Sequence, residues 1–400
     1  MGVILEELIR QIDSRNIKNI AGSKGLTNLV EWAHMVENVE IASFLTGGEI
    51  AFTTGIGIKE DMTLLDLVTA VYTQGAAGMI INVGPYIEKI GHDIISFGER
   101  HDFPIFEVPW NVHMADIIRM FCETITRYDQ RSMELSAAFK NAIFSPKMEE
   151  LYLPVLMQKG YFSEWNYTVV VIDICSYVEK DAKYYDYAPI STERFAVVQK
   201  IIEKKVLRMK YDAVLYRDQE KLLIIFSDTD EAQACEMIGR LEEQMSSYLK
   251  SNEVYFSAVG KTARQIREIF RSYIVAHRIA ELLKLDGADN TTKSYSQMGI
   301  AQMLLNLNQL DSLEDYYADT IGPLDDYDEA NNGNLVETLT CYMYHNGSVQ
   351  DTAVEMYVHR NTINYKLKKI ESILNMTLMD FDVRNKLMTG LLVRKMRHLK

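Results

Sequence analysis

Nine polar residues fall within one short run, His359, Arg360, Asn361, Thr362, Asn364, Tyr365, Lys366, Lys368 and Lys369, and together they offer amide donors, hydroxyls and positive charge at helical spacing. That combination suits nucleic acid. An asparagine side chain can bond adenine bidentately in the major groove, while Thr, Tyr, Lys and Arg can bond phosphates. A solvated basic surface helix is the plainer reading, and the tight spacing of two helical patterns around the run argues against it.

The elements that must position this run can be read from its flanks. Ser348 with Asp351 three residues on is a helix-start signal, and Val349, Ala353 and Met356 follow along one face. Tyr357, Val358 and His359 leave room only for a tight turn. Ile363, Leu367, Ile370 and Leu374 then define the inner face of a second helix, which puts Asn361, Tyr365 and Lys368 outward, flanked by Thr362, Asn364 and Lys369. This is a helix-turn-helix pattern whose second helix begins in a major groove. The segment from about Leu335 to the end, through LVETLTCYMYHNGSV and TAVEMYVHRNTINYKLKKIE, resembles the C-terminal helix-turn-helix of the PucR family of bacterial transcriptional regulators, the purine catabolism regulator-like proteins. It departs from generic helix-turn-helix sequences at Tyr357, where a glycine often sits.

Charge is distributed to match. The net charge is −14, yet His359 to Lys400 holds ten Lys or Arg against three acidic residues, a local balance of +7. Asp311 to Gln350 holds nine acidic residues and no Lys or Arg. An acidic body with a basic end fits a reader attached to a control module. With 400 residues, 48% hydrophobic and 24% charged, the chain has the composition of a globular protein with two to four domains. The opening MGVILEELIRQIDSRNIKNI lacks a cleavable apolar run, and no eighteen apolar residues are consecutive, so a cytoplasmic protein that does not enter a membrane is expected. Cys122, Cys175, Cys235 and Cys341 lie far apart without CxxC pairs or histidines at ligand spacing, so no metal site and no disulfide framework is expected.

Residues 1–126 alternate strand and helix signals. GEIAFTTG, GMIINVG and FPIFEVP read as strands, and MTLLDLVTAVYTQG as a helix closed by glycine, which together suggest βαβ units around a parallel sheet. Ligands of such sheets bind beyond the carboxyl ends of strands, so the expected pocket comprises Thr53, Thr54, Gly55, Asn82, Gly84 and Trp110. Gly47 and Gly48 beside Glu49 are added as a possible close-approach site, with Glu37 and Arg100 as nearby charges, although turn glycines and solvent-facing charges explain them as well. GLTNLVEWAHMVE, FLTGGEIAFTTGIGI and DFPIFEVPWNV resemble the PucR-type N-terminal domain, which implies a small-molecule sensor.

Residues 127–160 read as a helical linker, continuing a pattern from Ile117 to Ile143 that Pro146 ends. That run is a candidate dimerisation surface, against the alternative of a helix packed on its own domain. Residues 161–290 give the order βαββαβα, which is similar to the degenerate GGDEF-like domain of these regulators. The hairpin carries Arg217-Asp218-Gln219-Glu220-Lys221, without the glycines needed for close approach to a nucleotide, and Asp173, expected at the end of the first strand, cannot alone hold two metals. Residues 291–333 read as connector and 334–400 as the helix-turn-helix domain.

The expected fold class is therefore multidomain α/β plus all-α. No HExxH, GxSxG or P-loop occurs, so no enzyme activity and no cofactor are expected. The resemblance implies a ligand-responsive regulator, with activation the expected mode, of purine, amino-acid or related nitrogen catabolism genes. Its partners would be a double-stranded DNA operator, a purine intermediate or amino acid as effector, and a second copy of the chain in a homodimer or higher oligomer. The rival class is a nucleotide-binding or nucleotide-processing enzyme with an attached DNA-binding domain.

Overall fold

The computed structural model describes residues 2–12, 16–58, 62–178, 186–208, 212–245, 247–306 and 311–397. The chain divides into two compact units, one made of Met1–Asn141, Glu150–Gly160 and Lys200–Lys210, the other of Ala142–Glu149, Tyr161–Gln199 and Tyr211–Lys400.

The first unit is built on β1 (Lys18–Ala21), β2 (Trp32–Met35), β3 (Glu49–Thr53), α1 (Leu64–Thr73), β4 (Gly78–Val83), α2 (His92–Arg100), β5 (Ile105–Pro109) and α3 (Met114–Phe144). Its five-stranded sheet has the order β1-β5-β4-β3-β2, with β2 to β5 mutually parallel and β1 antiparallel on the edge. Strand alternation sorts the core into two layers. Ile50, Phe52, Ile80, Phe106 and Val108 point to the face covered by Ile117, Phe121 and Ile125 of α3, while Ala51, Met79, Ile81 and Ile105 meet Leu67, Val68 and Val71 of α1 and Ile94 of α2. Both faces being covered, the strands read as continuous apolar runs. Helix α1 starts at a capping box in which Thr63 and Asp66 bond each other's backbone N–H. It closes at Gly75, which takes a positive φ.

In the second unit, β6 (Tyr167–Val178), β7 (Asp186–Pro189), the first part of α4 (Thr192–Arg208, of which residues 192–199 belong to this unit), β8 (Ala213–Asp218), β9 (Lys221–Ser227), α5 (Glu231–Met245), β10 (Glu253–Val259), α6 (Ile269–Leu285) and β11 (Thr291–Ser294) form an α/β layer. The six-stranded sheet runs β8-β9-β6-β10-β11, and β7 also pairs with β6. The expected helices and hairpin form, with β7 and β11 added. Two expectations need correction. Asp173 lies in the middle of β6, not at its end, because that strand continues to Val178 and pairs with β7. Residues 291–294, read as connector, are a strand parallel to β10.

The C-terminal part of the unit is helical, with α7 (Asp311–Ala318), α8 (Gly322–Asn331), α9 (Leu335–Tyr344), α10 (Val349–Glu355), α11 (Arg360–Leu374) and α12 (Phe381–Met396). Here too the connector reading fails physically, since Ile321 and Leu324 are buried in the same core as Leu339, Ile363, Leu367, Ile370 and Leu387. Asp328 at the end of α8 also accepts hydrogen bonds from the Leu335 and Val336 amides, capping α9. Residues 307–310 of the stripe MLLNLNQL lie outside the described residues, as do Lys400 and residues 209–210 at the end expected for α4, while α5 ends at Met245, short of the expected residue 250. Among the described residues no helix is long and apolar enough to cross a membrane. The protein is thus mixed α/β, with a C-terminal helical region.

Candidate nucleic-acid interface and effector site

Helices α10 and α11 carry the run with which the sequence reading began. Ser348 caps α10, its hydroxyl accepting from the Asp351 amide at 3.2 Å. Thr352 and Ala353 are buried beneath α10, while Val349 and Met356 are half-buried partners of the core. The turn is made by Tyr357, which takes φ 53° and is 93% exposed. A tyrosine therefore adopts the left-handed conformation that glycine adopts without strain. His359 follows as the N-cap of α11, its Nδ1 accepting from the Asn361 amide at 3.2 Å.

Ile363, Leu367, Ile370 and Leu374 are the buried face of α11, as their spacing requires. His359, Arg360, Asn361, Thr362, Asn364, Tyr365 and Lys368 are all exposed, with Tyr365 at 72%. They form one outward face at the helix's first turns, where its free N–H groups also favour an anion. Two of the nine candidates are turned inward. Lys366 Nζ donates to Asn334 Oδ1 at 2.6 Å, tying α11 to the start of α9. Lys369 Nζ sits 5.1 Å from the centre of the Tyr327 ring on α8.

The basic end is also less basic than its count. Arg394 pairs bidentately with Asp325 at 2.7 and 2.8 Å, Arg397 meets Glu314 at 2.8 Å, and Lys395 pairs with Asp286. Burial alone would push the Asp325 carboxyl up, but hydrogen bonds from Arg394 and Tyr317 outweigh it and hold the group below its ordinary value. Arg394 and Arg397 thus neutralise acids of the acidic stretch, and Lys395 an acid at the end of α6.

The effector candidates separate into two ends of the first sheet. Gly47, Gly48 and Glu49 stand at the amino end of β3, opposite to Thr53 and Thr54. Glu49 has a local role. Burial acts to raise its carboxyl, yet bonds from the Thr46 amide and hydroxyl and the Gly47 amide hold it below the ordinary range. At the carboxyl ends the structure does bring Thr53, Thr54, Gly55, Asn82, Gly84 and Trp110 to one side of the sheet. Their polar groups are already engaged. Glu37 accepts from Thr53 Oγ1, from the Thr54 amide and hydroxyl and from the Gly55 amide, at 2.8–3.3 Å. The Asn82 amide donates to the Val108 and Pro109 carbonyls. Gly84 lies so close to Trp110 that an added Cβ would stand 2.6 Å from the ring. Arg100 is in the last turn of α2, away from these carboxyl ends. A cavity of about 400 Å³ opens just past β5, lined by Gln11, Asn16, Asn111, His113, Asp116 and Met120 among others. Sequence reading missed it because Gln11 and Asn16 belong to a segment remote in the chain.

In the middle layer, Asp173 is 3% exposed and its Oδ2 accepts from Lys284 Nζ at 3.1 Å. Burial acts to lower the Lys284 ammonium, but Asp173 and Cys175 beside it raise it above its ordinary value. Cys175 is pushed up to about 12 by burial and by Asp173. Lys221 pairs with Glu281 and stands 3.1 Å from His277 Nδ1. The buried Asp173 carboxylate is thus neutralised by a protein ammonium.

One expectation about cysteines fails. His345 follows Cys341 by four residues, and the His345 amide donates to the Cys341 carbonyl at 3.0 Å, so both side chains share one helical face.

Residues 7–125 match the Purine catabolism regulatory protein-like family, and residues 335–393 the PucR C-terminal helix-turn-helix domain. Three Bacillus subtilis (strain 168) proteins are similar to parts of the chain. The proline-responsive transcriptional activator PutR is 24% identical over 47% of this chain and 47% of its own length. The purine catabolism regulatory protein is 31% identical over 36% of this chain and 29% of its own. The DNA-binding transcriptional activator AdeR is 29% identical over 40% and 37%. The chain thus spans less than half the length of each of these relatives. It carries a PucR-family domain at its N-terminal end and a PucR-type helix-turn-helix domain at its C-terminal end.

Proposed function

We propose that this protein is a cytoplasmic, ligand-responsive transcription regulator that binds operator DNA as a homodimer or higher oligomer. The observation that carries the proposal is the outward face of α11, where Arg360, Asn361, Thr362, Asn364, Tyr365 and Lys368 stand exposed over a fully apolar inner face. Such a face supplies amides for base edges and cations for phosphates. Electrophoretic and anisotropy titrations on the chain's own upstream DNA test it. Lys368→Ala should weaken binding to all sequences and lower the salt slope by about 1, as loss of one phosphate contact requires. An unchanged slope and affinity would remove Lys368 from the interface.

The regulated genes are proposed to serve purine, amino-acid or related nitrogen catabolism, by activation, a reading supported by the kinds of regulator to which the chain is similar. A purine intermediate or amino acid is the proposed effector, bound by the N-terminal domain at the carboxyl ends of β3 to β5 or the cavity beside them. A panel of such compounds tests this by thermal shift, since a ligand at a hundred times its dissociation constant stabilises by about 2.7 kcal/mol.

The middle layer is proposed to be a non-catalytic GGDEF-like module. The βαββαβα order, present with the added strands β7 and β11, and the Asp173–Lys284 pair support that reading over the nucleotide-processing alternative. Incubation with GTP and magnesium should yield no cyclic dinucleotide; product formation would favour the rival class.

A further inference from the structure

We propose that Cys341, His345 and Glu355 form a binding site for a borderline divalent transition ion of the zinc class, set between α9 and the end of α10. Cys341 and His345 are one turn apart at the end of α9, and Asn346 and Gly347, both at positive φ, reverse the chain so that α10 returns beside them. Glu355 at the end of α10 then meets the imidazole, its Oε2 in contact with His345 Nε2. One donor atom from each residue, a sulfur, a ring nitrogen and a carboxylate oxygen, lies within 4.8 Å of both others. Tetrahedral zinc with Zn–S of about 2.3 Å and Zn–N or Zn–O of about 2.0–2.1 Å sets its donors roughly 3.3–3.6 Å apart. The adjustment falls to Glu355, whose side chain is 64% exposed and would have to turn away from its contact with His345 to admit the ion.

The donor set also selects the ion. A thiolate and a carboxylate carry two negative charges, which a divalent ion cancels, and sulfur with imidazole nitrogen suits zinc or cobalt rather than magnesium or calcium. Burial first, and then the Glu355 and Glu337 carboxylates, push the Cys341 thiol above its ordinary value. A bound cation reverses that balance, because a coordinating thiol is deprotonated outright. Three protein ligands leave a fourth position for water. The site would staple α9, whose Leu339, Tyr342 and Met343 lie in the core with Ile363 and Leu367, to the helix that ends two residues before the Tyr357 turn.

Cobalt(II) titration of the reduced full-length protein tests this. The expected result is a thiolate-to-cobalt charge-transfer band with the visible bands of four-coordinate cobalt, both displaced by zinc. Cys341→Ser should abolish the charge-transfer band, and Glu355→Gln should weaken cobalt affinity by at least about tenfold, a loss no smaller than that of an outer-shell partner. Glu355→Gln alters an exposed side chain and keeps the test open if Cys341→Ser fails to fold. No thiolate band in the wild type, the same band in Cys341→Ser, or unchanged affinity in Glu355→Gln would each overturn the site.

Discussion

Tyr357 shows what one residue contributes to the reader. Left-handed backbone costs a non-glycine residue about 1–2 kcal/mol, and the Tyr357 ring, at 93% exposure, recovers little of that by packing. Tyr357→Gly should therefore raise the stability of the helix-turn-helix by up to about 1 kcal/mol, after the greater unfolded-state freedom of glycine is subtracted. Denaturant midpoints check it; a fall in stability would mean that the ring packs. The lysines divide the same way. Spacing placed Lys366, Lys368 and Lys369 together on the second helix, but a long flexible side chain can bend to either side, so sequence could not assign Lys366 to Asn334 or Lys369 to Tyr327. Lys366→Ala should lower stability with little effect on sequence preference. The apolar positions were legible because a core admits only one face, and Ile363, Leu367, Ile370 and Leu374 are that face.

Among elements, α7 and α8 change the limits of the DNA-binding head. Their acidic, polar sequence hides a few core residues, Ile321 and Leu324, and a cap, Asp328, whose targets lie seven and eight residues on. A fragment of residues 311–400 should fold cooperatively, whereas 334–400 should lose several kcal/mol, at about 1.5–3 kcal/mol for each buried aliphatic removed. Equal thermal midpoints would contradict this packing. The same helices predict an acid response. Asp325 has a depressed folded pKa, so its contribution is present above the unfolded value of about 4 and is lost as pH falls through the folded value. Asp325→Asn should flatten the fall in stability below about pH 4, measured on the full chain. Strands were legible as short apolar runs between turn residues, as GMIINVG and FPIFEVP show, because both faces of the sheet are covered. Strand direction separates the remaining candidates: Gly47 and Gly48 precede β3, Glu49 opens it, and Thr54 and Gly55 follow it, so one strand's length lies between the two groups.

At the scale of the molecule, one chain holds one helix-turn-helix, and specific operators normally engage two. The proposed second copy must come from another subunit. Removal of residues 1–126 should then leave DNA binding and abolish its response to effector, checked by titration with and without the compound that stabilises the full chain. Counting charge exaggerated the basic end, since Arg394, Lys395 and Arg397 each pair with an acid elsewhere in the unit. The first half of α11 is the proposed DNA-contacting face. The most direct test is anisotropy titration of Asn361→Ala and Asn364→Ala against operator and random DNA at several salt concentrations. Operator preference should fall by about 1–3 kcal/mol per lost bidentate contact while random DNA binds as before; wild-type preference in both variants would contradict the role of α11.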